Sequence, residues 1–149
     1  MPRGFFLTEA VSNSPEETFA LGRRVSSFLG PGSVVALRGE LGSGKTHLAK
    51  GIAGGLGVSE NITSPTYTII SEYKTENSSV LYHIDAYRLL NDEDFENIGG
   101  SEIIGGSGIS VIEWSERIPS SLPGNAITIA LEITGPSSRL IKIEGLPLL

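Results

Sequence analysis

The apolar positions of the chain repeat with two different periods, and turns rich in glycine and proline separate the segments. Leu21, Val25, Phe28 and Leu29 recur at helical spacing behind Ser14-Pro15-Glu16-Glu17. That quartet reads as an N-cap, a proline at the first helical position and an acidic first turn, with Glu17 completing a capping box. Gly30-Pro31-Gly32 stops the helix, because proline cannot continue the ladder. Ser33 to Arg38 is a short, nearly continuous apolar run and predicts a strand buried in a covered sheet. A glycine-rich turn leads into a second helix from Lys45. Leu48, Ile52 and Leu56 mark its inner face, and Gly54, Gly55 and Gly57 weaken its end.

After Ser64 the pattern changes. Thr66 to Tyr73 and Val80 to Asp85 are rich in β-branched and aromatic residues, with polar Lys74 to Ser79 between them. They predict two antiparallel strands and a loop. Asn91 caps a short third helix, with Leu90 and Phe95 spaced for a hydrophobic staple across the cap. Ile109 to Glu113, Ala126 to Ile133 and Leu140 to Ile143 are further strands. The predicted order is α, β, α, β, β, α, β, β, β. It implies one α/β domain over residues 1–149, with a sheet parallel near the glycine loop, antiparallel elsewhere and flanked by helices.

Composition narrows the chemistry. The 149 residues hold no cysteine and only His47 and His83 as imidazoles. Thiol catalysis, disulfides, cysteine-based metal centres and His-rich metal sites are thereby excluded. The 19 glycines and 8 prolines lie below the range of low-complexity chains. A net charge of −6, with no basic run longer than Arg23-Arg24, argues against strong direct binding of nucleic acid or an anionic membrane. No apolar run approaches the length of a membrane span and no secretory segment is visible, so the expected location is the cytoplasm.

Gly39-Glu40-Leu41-Gly42-Ser43-Gly44-Lys45-Thr46 fits G-x-x-x-x-G-K-[ST]. A strand enters it and a helix leaves it, which is the context a phosphate loop requires. Phosphate oxygens need several converging donors, and the main-chain N–H groups of a tight glycine-rich loop supply them. The helix behind the loop adds free N–H groups and the positive end of its dipole. Lys45 adds a point charge for the β- and γ-phosphates, and the Thr46 hydroxyl can ligate Mg²⁺. The expected ligands are ATP and Mg²⁺, with all eight loop residues in contact.

Nucleotide hydrolysis also needs a carboxylate near the metal. Glu113 ends the apolar strand Ile109 to Ile112 in a Walker-B layout, and Asp85 ends the strand that carries His83. The two remain open as alternatives for the metal and water-positioning roles. Thr66, after Ser64-Pro65, is read either as a switch that reaches a γ-phosphate or the metal or as part of a Ser-Pro turn. His83 shares strand parity with Asp85 and is read either as orienting it or as a packed side chain. Trp114, the only tryptophan, is a core or interface candidate.

With those residues named, the chain resembles the TsaE (YjeE) family of bacterial ATPases. The matches are the phosphate loop, Ser64-Pro-Thr-Tyr-Thr68, His83-Ile-Asp-Ala-Tyr-Arg-Leu89 and Val111-Ile-Glu-Trp114. The resemblance implies a phosphate-loop NTPase fold and a role in making N6-threonylcarbamoyladenosine at position 37 of tRNA. It implies ATP hydrolysis that sustains a TsaB–TsaD heterodimer. It also implies that Thr46 and Glu113 serve Mg²⁺, that Asp85 and Lys45 are catalytic, and that Thr66 is a switch. The competing readings are a small-molecule kinase and a nucleotide-dependent binding module that does not hydrolyse.

Overall fold

The computed structural model describes residues 6–62 and 69–146; the candidate switch Thr66, with Ser64-Pro65 and the start of the strand predicted there, lies outside the described residues. In chain order the elements are β1 (Phe6–Ser12), α1 (Pro15–Ser26), β2 (Val34–Gly39), α2 (Lys45–Gly55), β3 (Ile70–Lys74) and β4 (Val80–Asp85). They continue as α3 (Asp92–Asn97), α4 (Gly100–Ile104), β5 (Ile109–Glu113), β6 (Ile127–Ile133) and β7 (Arg139–Leu146). Two short 3₁₀ turns, Ser115–Arg117 and Pro119–Ser121, follow β5.

Among the described residues, seven strands form one sheet in the order β1-β7-β6-β2-β5-β4-β3. The pairs β2–β5, β2–β6 and β4–β5 are parallel, whereas β1–β7, β6–β7 and β3–β4 are antiparallel. This is the mixed α/β sheet that the patterning implies, parallel at its centre. β2 is central in the sheet and packed on both faces, which is why Val34 to Leu37 are all buried. Alternation then divides the core. Val35, Leu37, Val111 and Ile129 pack with Leu21, Val25, Leu48 and Ile52 of α1 and α2. Val34, Ile84 and Ile112 pack with Phe95 and Ile118 on the other side.

The capping chemistry is largely as expected. Glu17 N donates to Ser14 Oγ at 3.1 Å, while Glu17 Oε2 accepts from Asn13 N at 2.9 Å, one residue before the cap. Asp94 N donates to the Asn91 side chain at 3.0 Å. The staple across that cap does not form: Phe95 is buried but Leu90 is 80% exposed. Instead, Leu90 N donates to Asp94 Oδ2 at 2.9 Å. α1 ends at Ser26, short of Phe28 and Leu29. The Ser26 and Ser27 hydroxyls donate to the Arg23 and Arg24 carbonyls and take up the last turn's acceptors. β1 and α4 were absent from the predicted order.

Two glycines let α1 and α2 touch at backbone distance. A Cβ at Gly51 would collide with the Phe19 carbonyl oxygen, and one at Gly22 would collide with the Leu48 oxygen and lie 2.9 Å from Ile52 N. In a free helix Gly→Ala gains about 1 kcal/mol. Here Gly51→Ala is expected to lose roughly 1–3 kcal/mol, because α2 must back away from α1. Urea denaturation checks this; an unchanged or raised midpoint would show that the helices are not held this closely.

Candidate active site

β2 delivers the chain to the loop at Gly39, whose φ of 154° and close neighbour Ser43 leave no room for a side chain. Gly42 and Gly44 have φ of 82° and 102°, a conformation costly for other residues. Gly44 is also the N-cap of α2 and provides no side-chain cap. The first N–H groups of α2 therefore have no capping side chain and form an anion-binding helix end. Arg139 of β7 fastens the loop from behind. Its Nε donates to Ser43 O at 3.2 Å and its Nη2 to Gly42 O at 3.1 Å. Nη1 donates to Gly135 O and Ser138 O at 3.1 and 2.8 Å. One guanidinium thus ties the loop to the β6–β7 turn.

Lys45 is buried and turned back onto the loop, where Nζ donates to the carbonyls of Gly39 and Glu40. The Trp114 ring covers it, with Nζ 3.8 Å from the centroid. Trp114 takes φ 58°, unusual for a bulky residue, and this bend at the end of β5 turns its ring over the lysine. Tyr87 stacks on Trp114 with centroids 5.0 Å apart, and Arg117 lies 5.3 Å above Tyr87. Burial pushes the Lys45 ammonium below its ordinary pKa, while the charges of Glu113, Glu116 and Asp85 pull it back up.

β5 brings the carboxylate. The parallel register sets Asp85 beside Glu113 at the ends of β4 and β5. Glu113 is 3% exposed. Thr46 Oγ1 donates to its Oε1 at 3.3 Å, and His83 Nε2 lies 2.5 Å from its Oε2. Asp85 Oδ1 accepts from Tyr87 N at 3.0 Å. Loop residues 41–47 line a cavity of about 350 Å³ together with Asp85, Tyr87, Glu113 and Trp114.

The structure thus gathers most of the sequence candidates: Leu41 to Thr46, Asp85 and Glu113 share one cavity. Gly39 and Glu40 stand behind it as carbonyl acceptors for Lys45. His83 hydrogen-bonds Glu113 rather than Asp85. Trp114 covers the lysine. Arg139 and Tyr87 had no role in the sequence reading. Arg139 follows an ordinary Gly-Pro-Ser-Ser turn, and nothing local marks it as a partner of a loop almost a hundred residues earlier.

The donor set suits a small hard cation. Thr46 and Glu113 present hydroxyl and carboxylate oxygens side by side. Among the described residues no group of three or more His, Cys, Asp or Glu is found that could hold a metal ion.

Comparison with known proteins follows the same line. The family described as "Threonylcarbamoyl adenosine biosynthesis protein TsaE" matches residues 12–141. The tRNA threonylcarbamoyladenosine biosynthesis protein TsaE of Treponema pallidum is 45% identical over 133 residues, covering 89% of this chain and 97% of its own. That of Bacillus subtilis is 39% identical over 132 residues, covering 89% and 82%. The crystal structure of Bacillus subtilis YdiB superposes with a TM-score of 0.77 at 34% identity, over 97% of this chain and 89% of that one. Among the described residues no helix is long and apolar enough to cross a membrane.

The lowered pKa of Lys45 gives a signed prediction. Burial penalises its charged form in the free protein, whereas a polyphosphate at the loop favours that form. Triphosphate binding should therefore take up a proton, increasingly so as pH rises toward the lowered pKa. Calorimetry in buffers of different ionisation enthalpy measures the uptake, and Lys45→Met should abolish it. Proton release on the alkaline side would contradict the assignment.

Proposed function

Since the chain belongs to the TsaE family of tRNA threonylcarbamoyladenosine biosynthesis proteins, we propose that it is the pathway's Mg²⁺-dependent ATPase. Its domain then works as one phosphate-loop motor that sustains a TsaB–TsaD transferase. The observation that carries this reading is the approach of Thr46 Oγ1 to Glu113 Oε1 at 3.3 Å, at the first turn of the helix behind the loop. Thr46 and Glu113 would hold a Mg²⁺ ion, which would supply positive charge against the charge that develops on the phosphates.

The remaining groups divide the work. The loop N–H groups and the start of α2 bind the phosphate chain. Lys45 leaves the carbonyls of Gly39 and Glu40 for phosphate oxygens, an exchange of neutral acceptors for charged ones. Trp114 and Tyr87 wall the cavity and limit water at the lysine. Asp85 lines the same cavity, its Oδ1 accepting from Tyr87 N, which suits a role in orienting water. The net charge of −6 favours action through protein contact rather than by holding tRNA.

The test is ADP release by the isolated chain, with tRNA, and with TsaB–TsaD. Slow basal turnover should rise with the protein pair and stay unchanged with tRNA alone. Glu113→Gln should lower the stimulated rate on the order of 100-fold, as for loss of one group that stabilises developing charge. Its affinity for ADP without Mg²⁺ should hardly move. No ADP release under any condition would reduce the protein to a nucleotide-binding module.

A further inference from the structure

Glu113 is a costly residue to place where it sits. It is 3% exposed, at the end of a strand whose residues are all buried. A carboxyl group so deeply buried needs hydrogen-bond donors to hold one orientation. The donor on one side is the Thr46 hydroxyl at 3.3 Å. The donor on the other is His83 Nε2 at 2.5 Å, from a ring that is itself 1% exposed. The other ring nitrogen, Nδ1, is buried and has no hydrogen-bond partner among the described residues. A bare lone pair there costs less than a stranded N–H, so the proton sits on Nε2 and is directed at Glu113.

The register explains why this ring reaches this carboxylate. β4 and β5 are parallel, with His83 beside Val111 and Asp85 beside Glu113. His83 and Glu113 therefore lie on the same face of the sheet, the one that carries α2. We propose that His83 is a positioning residue: it occupies Glu113 Oε2 and so turns Oε1 toward Thr46, presetting the pair of oxygens that receives the metal ion. The inference rests on the Mg²⁺–nucleotide reading of the site. It extends that reading with a residue that touches neither nucleotide nor ion. Partners of this kind typically cost ten- to a hundredfold in metal affinity when removed.

The experiment measures ADP affinity by calorimetry as a function of Mg²⁺, without turnover. Three variants of the full chain are compared. His83→Leu fills the space but donates nothing. His83→Asn donates but is too short to reach Glu113. His83→Gln places an N–H near the position of Nε2. The Mg²⁺ concentration giving half of the metal-dependent effect should rise about tenfold or more in His83→Leu and His83→Asn. It should return close to wild type in His83→Gln, and Mg²⁺-free ADP affinity should be alike in all three. A merely structural role would lower Mg²⁺-free binding along with the rest. Two results overturn the proposal: an unchanged Mg²⁺ midpoint in His83→Leu or His83→Asn, and a His83→Gln protein as impaired as those two. Absence of any Mg²⁺ effect on ADP binding in the wild type overturns the metal reading and, with it, the role of His83.

Discussion

The parallel pairing of β2 with β5 is the constraint on which the site depends. Val34, Val35 and Ala36 stand beside Ser110, Val111 and Ile112, so the next residue of β5, Glu113, arrives where β2 runs on toward the loop. Ser115 Oγ then donates to Leu37 O at 3.1 Å across a buried contact and fixes the chain just past the carboxylate. A one-residue slip of β5 would carry Glu113 to the opposite face of the sheet, among Val34, Ile84 and Phe95 and away from Thr46. The alignment of Glu113 with Thr46 is therefore guaranteed by core packing far larger than the 3.3 Å contact it produces. Ligand sites of open α/β sheets lie beyond the carboxyl ends of the parallel strands for the same reason.

This arrangement stores polar groups at a cost. Lys45, His83, Glu113 and Ser43 are all buried, and each would be cheaper in water. The site offsets part of the cost internally. Loop carbonyls take the lysine proton donors, the Trp114 face lies against the ammonium, and His83 and Thr46 both contact Glu113. The rest of the cost remains, and burial still depresses the Lys45 pKa. On the proposed function, a polyphosphate with a divalent cation would supply the opposite charges in one step, which would make binding and charge compensation the same event.

The loop, its strand and its helix were legible in the sequence because each is specified locally, by glycine spacing and by unbroken apolar runs. β1 was not legible because its pattern is inverted. Leu7 and Val11 point outward at 50% and 66% exposure, while Ser12 is buried and bonds Thr18. An edge strand held by backbone pairing to β7 does not announce itself by hydrophobicity. The Leu90–Phe95 staple failed for a related reason: Phe95 found the core beside Ile118 and Ile112, and tertiary packing outbid the local contact. Of the site, the residue types and their order could be read. The His83–Glu113 bond, the Arg139 clamp and the Trp114 cover depend on strand register and backbone turns that no local pattern encodes.

On the proposed function, Thr46 and Glu113 act as one metal-binding unit. A double-mutant cycle tests it most directly, with Thr46→Val, Glu113→Gln and the double variant. The quantity followed is the Mg²⁺-dependent part of ADP binding. Residues sharing one ion should be strongly non-additive, with a coupling of about 1 kcal/mol or more. Losses that add within roughly 0.5 kcal/mol would show two independent groups and contradict a shared ion.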